Sequence, residues 1–128
     1  MSRLLVIELP YPAKPLWSNG SHGHWAPLNK ARKAARATAR ICAKEALGGH
    51  PWISPHASIQ ITLHPRSHKS NGARNTQTPD LDNIVSACKA QIDGIADALG
   101  INDRNFTLLP PQVGDRCQFG LLRVTVTQ

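Results

Sequence analysis

Two aspartates, Asp80 and Asp82, stand two positions apart where a polar segment gives way to a strongly periodic one. If the chain is still extended at the first of them and helical at the second, both carboxylates can point to the same side. Paired carboxylates suit Mg²⁺ or Mn²⁺, which bind few protein oxygens and keep several waters or take phosphate oxygens. The alternative is that these aspartates only cap a helix or favour the positive end of its dipole.

The segment from residue 82 to residue 99 carries the strongest helical pattern in the chain. Its apolar face is formed by Ile84, Val85, Cys88, Ile92, Ile95 and Leu99, and Gly100 ends it. The opposite side carries a polar stripe about 60° wide, formed by Asp82, Ser86, Lys89 and Asp93. Lys89 and Asp93 are spaced to form a surface ion pair of little energy, but a lysine here could also neutralise a phosphate.

Asp103 follows this helix after the short turn Gly100-Ile101-Asn102, where the chain must double back. A carboxylate at this point could complete a three-ligand site with Asp80 and Asp82. The sequence spacing alone does not establish that the three side chains meet.

The charge of the chain is strongly positive but unevenly distributed. The 128 residues carry a formal net charge of +7 and a sequence pI of about 9.9, which is typical of nucleic-acid-binding proteins. Five of the eight acidic residues lie between positions 80 and 103. The candidate phosphate contacts are Arg32, Lys33, Arg36 and Arg40 on a predicted helix, and Arg66, Lys69 and Arg74 in a predicted loop. A solvated helix face and a disordered loop are the alternatives.

The elements that must position these residues follow from apolar periodicity and turn residues. We expect an α+β fold in one domain, residues 1 to 128, with a small mixed β-sheet covered by two main helices in the order β-α-β-α-β-β. The predicted strands are residues 3 to 9, residues 57 to 63, a segment within 105 to 113, and residues 118 to 127, which include Phe119. Residues 10 to 28 and 66 to 79 are predicted loops, the latter mobile, and Asn29 is predicted to cap the first helix, which ends at Gly48-Gly49.

The cysteines and histidines offer no zinc pattern. Cys42, Cys88 and Cys117 are far apart, which predicts buried thiols in a reducing compartment. The pair His22 and His24 lacks the further ligands of a tetrahedral site. Trp17 and Trp25 are expected to anchor their loop to the core or to stack on DNA bases. The N-terminal apolar run is too short for a signal peptide or a spanning helix, so we expect a cytoplasmic protein without a membrane partner.

Two stretches resemble one known family. The run PDLDNIVSACKAQIDGIADALGINDRNF, residues 79 to 106, resembles the core signature of the RusA family of Holliday junction resolvases. The stretch LPYPAKPLWSNGSHGHW, residues 9 to 25, is similar to the opening of that family, where a strand ends at Leu-Pro and a loop carries an Asn followed by His-Trp. The resemblance covers the first 40 residues and residues 79 to 106.

This resemblance implies a crossover junction endodeoxyribonuclease that resolves four-way DNA by paired symmetric phosphodiester hydrolysis in recombination and repair. Asp80, Asp82 and Asp103 would be its metal-binding carboxylates, with Mg²⁺, or Mn²⁺ as a substitute, and no small-molecule cofactor. A homodimer is implied, and a chain of this size also favours one, because pairing about a twofold axis extends the DNA-binding groove.

The sequence departs from the family pattern at two positions. Many members carry the helix lysine where this chain has Ser86, so Lys89 is assigned that role here. Many members also have two consecutive acids where this chain has Asn102-Asp103. Two alternatives stay open: a non-catalytic nucleic-acid-binding module, and a metal nuclease acting on flaps, forks or RNA hybrids.

Overall fold

The computed structural model describes residues 3–17, 25–69 and 71–128, with Trp25 and Ala26 described in their backbone only. It is an α+β fold built on a mixed sheet. In chain order the elements are β1 (Leu4–Leu9), a 3₁₀ turn (Lys14–Leu16), α1 (Trp25–Leu47), β2 (Ala57–His64), α2 (Leu81–Ala87), α3 (Lys89–Leu99), a 3₁₀ turn (Asp103–Asn105), β3 (Phe106–Leu108), β4 (Gln112–Val113) and β5 (Leu121–Thr127).

The sheet has the strand order β1-β5-β2-β3, and the short β4 also pairs with β2. Strand β5 is antiparallel to both β1 and β2, whereas β3 and β4 run parallel to β2. The predicted mixed sheet is therefore confirmed.

The helices cover one face of this sheet. Alternate side chains of β1, β2 and β5 are buried on that face because a strand turns successive side chains to opposite sides. They form one core with the small residues of α1 and the apolar face of α2 and α3, including Ala39, Ile84 and Ile95. Helix α1 packs chiefly against α3. The apolar periodicity of residues 82 to 99 thus turns the polar stripe away from the core.

Four predicted boundaries were wrong. Helix α1 begins at Trp25 and not after an Asn29 cap, because Pro27 in the first helical turn costs no hydrogen bond there. The helix expected over residues 82 to 99 is divided at Cys88, whose φ of −95° and ψ of 1° leave the helical region. The single strand expected within 105 to 113 is two short strands, β3 and β4. Strand β5 begins at Leu121, so Phe119 precedes it.

The loop of residues 66 to 79 contains local backbone pairing. Arg66 forms a bridge with Cys117, and His68 forms one with Arg74. The Lys69 amide donates to the Ala73 carbonyl at 2.7 Å. In the described ranges no helix has both the length and the apolar character needed to cross a membrane.

Candidate active site

A surface groove of about 640 Å³ runs along the exposed side of α2 and α3. All four residues of the predicted polar stripe line it: Asp82, Ser86, Lys89 and Asp93. Arg32 of α1 lines it as well, so the groove holds both signs of charge. The predicted grouping of the stripe is confirmed, because the rest of the apolar face of these helices is anchored in the core, but Val85, predicted on that face, lines the groove instead.

Lys89 links this groove to the turn after α3. Its Nζ donates to Asp103 Oδ2 at 2.6 Å and to Asp93 Oδ1 at 3.0 Å. The hydrogen bond from Lys89 lowers the pKa of Asp103, and the two carboxylates raise the pKa of Lys89. Lys89 is thus kept as a cation between two anions. Its side chain is 62% exposed, so solvent screens the pairs and they contribute little to stability.

Asp80 opens onto a second recess. It precedes α2 as the N-cap residue in an extended conformation and makes no capping hydrogen bond with its side chain. The recess, about 440 Å³, is lined by Asp80 with Asn83, Thr78, Tyr11 and Trp17 among others. Asp82 instead lines the first groove, so the two aspartates border different recesses, and the structure does not bring them into one recess as their spacing had suggested. The capping alternative is therefore not realised by Asp80.

The donor chemistry of these carboxylates fits Mg²⁺ or Mn²⁺ in part. Asp80 and Asp82 are hard oxygen donors, and Mg²⁺ is usually bound by one or two carboxylates with waters and phosphate oxygens completing its shell. Within the described ranges, no three or more His, Cys, Asp or Glu side chains are grouped so that they could hold a metal ion. Asp103 is occupied by Lys89. A three-aspartate site would therefore require a rearrangement of these side chains.

Arg116 fixes the segment that leads into Asp80. Its guanidinium donates to the carbonyl of Gln77 at 2.8 Å, to Thr78 Oγ1 at 3.1 Å and to the carbonyl of Arg66 at 3.2 Å. No local sequence pattern indicates this role of Arg116, because its hydrogen-bond partners lie 38 to 50 positions away in the chain.

Two aromatic rings form part of the wall of the recess beside Asp80. Tyr11 and Trp17 are stacked with their centroids 5.6 Å apart, and the guanidinium of Arg66 lies 5.2 Å from the centre of the Tyr11 ring. Trp17 Nε1 donates to the Pro12 carbonyl at 3.1 Å, and both rings pack against the core. Trp17 thus anchors its loop to the core, which was the first of the two roles expected for it. His22 and His24 and the side chain of Trp25 lie outside the described residues.

The predicted DNA-contacting cations are all exposed but differ in their engagement. Arg32 borders the acidic groove. Arg36 donates through Nε and Nη2 to the two oxygens of Asp97, at 2.7 and 2.9 Å. Lys33 and Arg40 lie on the same helix, and Lys69 and Arg74 on the loop after β2. Arg66, on that loop, covers Tyr11.

Comparison with known proteins places the chain in a family. A protein of Xylella fastidiosa strain Temecula1 is 32% identical over 129 aligned residues, which span 99% of this chain and 78% of the relative. The chain belongs to the family of this Xylella protein. That relative is described only as an uncharacterized protein, so membership assigns no activity. No family model matches the chain.

Solved structures resemble the chain only weakly. Cyanuric acid hydrolase from A. caulinodans is 13% identical, with a TM-score of 0.40 over 99% of this chain and 39% of the hydrolase. IspF of Plasmodium falciparum, in a CDP complex, is 9% identical, with a TM-score of 0.33 over 98% of this chain and 94% of IspF. The hydrogenase maturation protein HypE with ATP is 16% identical, with a TM-score of 0.31 over 98% of this chain and 30% of HypE. Similarities this low carry no functional argument.

Proposed function

We propose that this protein is a cytoplasmic, metal-dependent endodeoxyribonuclease that resolves four-way DNA junctions as a homodimer. The observation that carries the proposal is the groove along α2 and α3. It gathers Asp82, Lys89 and Asp93 beside Arg32, and Lys89 ties Asp103 to it. Carboxylates beside phosphates do not help a protein that only binds DNA. They do help phosphodiester hydrolysis, because they can hold the metal that it requires. The resemblance of residues 79 to 106 to the RusA family supports the same assignment.

Asp80, Asp82 and Asp103 are the proposed ligands of Mg²⁺ or Mn²⁺. Held by these carboxylates, a divalent metal would supply Lewis acidity that activates water and stabilises charge on the leaving oxygen. Lys89, which the flanking carboxylates keep protonated, supplies a positive charge next to the scissile phosphate. Arg32 at the edge of the groove holds a neighbouring phosphate.

As a metal ligand, Asp103 would share its carboxylate with Lys89 or exchange Lys89 for the metal. Lys89 already holds Asp103 through Oδ2, so the ammonium and a bound cation would compete for the negative charge of one carboxylate. Substrate entry favours this exchange, because a phosphate gives the released ammonium a new anionic partner. The site is therefore proposed to assemble with DNA and metal together.

A non-catalytic DNA-binding module is the second candidate, and one observation favours it. Lys89 and its two carboxylates form a closed ion-pair network, and the described residues present no ready three-ligand group. Such a module would use the cations of α1 and of the loop after β2 and would need no metal. A nuclease specific for flaps or forks would share every proposed catalytic residue with the resolvase.

Cleavage of matched substrates separates these candidates. End-labelled four-way junction, fork, duplex and single strand would each be incubated with the protein in Mg²⁺ or in EDTA. We expect junction cleavage in Mg²⁺ only, with 5′-phosphate products. Metal-independent binding without cleavage of any substrate would favour the module. Cleavage of forks in preference to junctions would favour the other nuclease.

Assembly is tested on the same protein. One acidic groove per chain supplies one cut, so resolution needs two chains related by a twofold axis. Light scattering at micromolar concentration should show a dimer, and a cruciform plasmid should be linearised by paired cuts. A monomer that leaves only single nicks would contradict the resolvase assignment.

A further inference from the structure

Phe119 is exposed although its neighbours in sequence suggested a strand. The chain turns before β5, and the side chain of Phe119 is 76% exposed. An exposed aromatic ring keeps apolar surface in contact with water, and stacking against a second flat, apolar surface would remove that contact.

The surroundings of Phe119 are basic. A recess of about 390 Å³ is lined by Arg66, His68, Lys69, Gln118 and Phe119. None of these side chains is acidic, so the recess complements a polyanion. An exposed ring among cations is the arrangement with which proteins bind unpaired nucleotides, since bases stack on the ring while cations hold the backbone.

The turn that carries Phe119 is closely fitted to its neighbours. Gly120 has a φ of +74°, and a Cβ on it would lie 2.6 Å from a ring carbon of Tyr11 and 2.9 Å from Cγ of Arg66. Only glycine accommodates both that conformation and that close approach. The Cys117 amide donates to the Pro65 carbonyl, and the Ser67 amide donates to the Cys117 carbonyl. Phe119 therefore extends from a turn that is fixed on both sides.

The same neighbours connect Phe119 to the recess that contains Asp80. Tyr11, which Gly120 contacts, lines the recess that contains Asp80, and Arg66 covers the Tyr11 ring. Arg116 joins the loop of Arg66 to the segment that precedes Asp80. A strand that binds beside Phe119 therefore lies on a surface continuous with the recess of Asp80.

We propose that Phe119 is a stacking platform for an unpaired base of the bound DNA, with Arg66 and Lys69 holding the flanking phosphates. This inference rests on the proposed function, because an opened four-way junction exposes unstacked bases at its centre. It adds a contact that recognises the branch, separate from the carboxylates that act on the phosphodiester bond.

The test measures binding in EDTA, so that cleavage does not enter. Fluorescence anisotropy would compare wild type, Phe119→Ala and Phe119→Trp on a labelled junction, a single strand and a fully paired duplex. Ile53→Ala is the matched control, because Ile53 is also an exposed apolar residue, with an exposed fraction of 89%. Ile53 precedes β2, whereas the residues of the Phe119 recess follow the C-terminal end of β2. A 2-aminopurine at the branch point would report stacking directly.

We expect Phe119→Ala to weaken binding of the junction and of the single strand about tenfold and to leave duplex binding unchanged. Phe119→Trp should restore affinity and quench 2-aminopurine, and Ile53→Ala should behave as wild type. Circular dichroism should show Phe119→Ala folded, because the ring contributes little to the core.

Three outcomes would overturn the platform. If Phe119→Ala bound the junction and the single strand as tightly as wild type does, no base would stack on Phe119, whether or not wild type cleaves. An equal loss on duplex would indicate a contact to the backbone only. Dissociation of a dimer by Phe119→Ala would make Phe119 a contact between chains. Failure of the proposed function would differ, because wild type would cut no DNA while Phe119 still determined single-strand affinity.

Discussion

Lys89 Nζ lies 2.6 Å from Asp103 Oδ2, which joins the first residue of α3 to the turn that follows the same helix. The two residues are 14 positions apart, and Asp93 takes a second bond from the same ammonium. One cation therefore holds Asp93, which lines the groove of Asp82, and Asp103, which follows the helix.

Replacing this lysine tests its part in the chemistry. We expect Lys89→Ala to slow single-turnover cleavage about 100-fold, because it removes a charge that stabilises the transition state. Mn²⁺ affinity, measured by electron paramagnetic resonance, should not fall, since the lysine competes with the metal for Asp103. Lys44→Ala, an exposed cation at the far end of α1, is the control. An unchanged rate would return Lys89 to the role of a surface ion pair.

Asp82→Asn separates binding from cleavage. The change removes one proposed metal ligand and one charge that repels phosphate, so cleavage should be abolished while junction binding is kept or strengthened. Gel shift in EDTA and cleavage in Mg²⁺ measure the two effects. Asp115→Asn removes an exposed carboxylate outside the groove and should do neither. Normal cleavage by Asp82→Asn would exclude Asp82 from the mechanism.

Arg36 and Arg40 lie one turn apart on α1 and are predicted to behave differently. Both guanidinium contacts of Arg36 go to Asp97 of α3, so we expect Arg36→Gln to leave the salt dependence of DNA binding unchanged. Arg40→Gln should reduce the slope of log affinity against log salt by about 1, as for one lost phosphate contact. An equal reduction of the slope by both variants would show that Arg36 leaves Asp97 when DNA binds, and no reduction by either would show that Arg40 contacts no phosphate.

The same ion pair has a defined pH dependence. Arg36 lowers the pKa of Asp97, so the pair stabilises the fold above the ordinary aspartate pKa and loses its effect as the pH falls through the lowered value. Thermal denaturation should show a small deficit for Arg36→Gln at pH 7 that disappears in acid. Because both side chains are well exposed, the deficit should be small. A deficit that persists in acid would assign it to lost packing.

Gly94 allows α3 to lie close to α1. A Cβ at this position would overlap the main-chain oxygen of Arg36 and lie 2.9 Å from Cβ of Ala39. Gly94→Ala should therefore reduce the free energy of unfolding by about 2 to 3 kcal/mol, since it forces the helices apart. Gly49→Ala meets no atom within 4 Å and changes only a residue with a φ of +81°, which costs about 1 kcal/mol. Urea denaturation of both variants makes the comparison, and equal losses would contradict the close-contact argument.

The three cysteines should differ in reactivity. Cys88 is buried between α2 and α3, and burial raises the pKa of its thiol to about 12, so little thiolate forms at neutral pH. Cys42 and Cys117 are partly exposed, so the expectation of buried thiols was wrong for these two. Mass spectrometry after iodoacetamide at pH 8 should therefore show two modifications in the native protein and three in denaturant. Fast native labelling of Cys88 would show that the helix junction opens.

Local pattern in the sequence determined β1, β2, most of β5, the helix faces and the polar stripe, but not the division of one predicted strand into β3 and β4. Periodicity of apolar residues is sufficient for this, because burying Ile84, Ile92 and Ile95 necessarily turns Asp82 and Lys89 outward. The α+β class and the mixed sheet followed from the same patterns. Helix starts and the break at Cys88 did not, because short-range backbone preferences differ there by small energies that packing overrides.

Only the tertiary structure decided which charges meet and which apolar side chain stays outside. Arg36 pairs with Asp97, 61 positions away. Asp103 pairs with Lys89 and is not grouped with Asp80 and Asp82. With 15 Lys and Arg and 8 Asp and Glu residues, many pairings are compatible with the sequence. Exposed pairs differ little in energy, so the packing of α1 on α3 selects the first pair and the turn after α3 selects the second. Phe119 is exposed for a related reason, because the turn at Gly120 is set by contact with Tyr11 and Arg66 from distant parts of the chain.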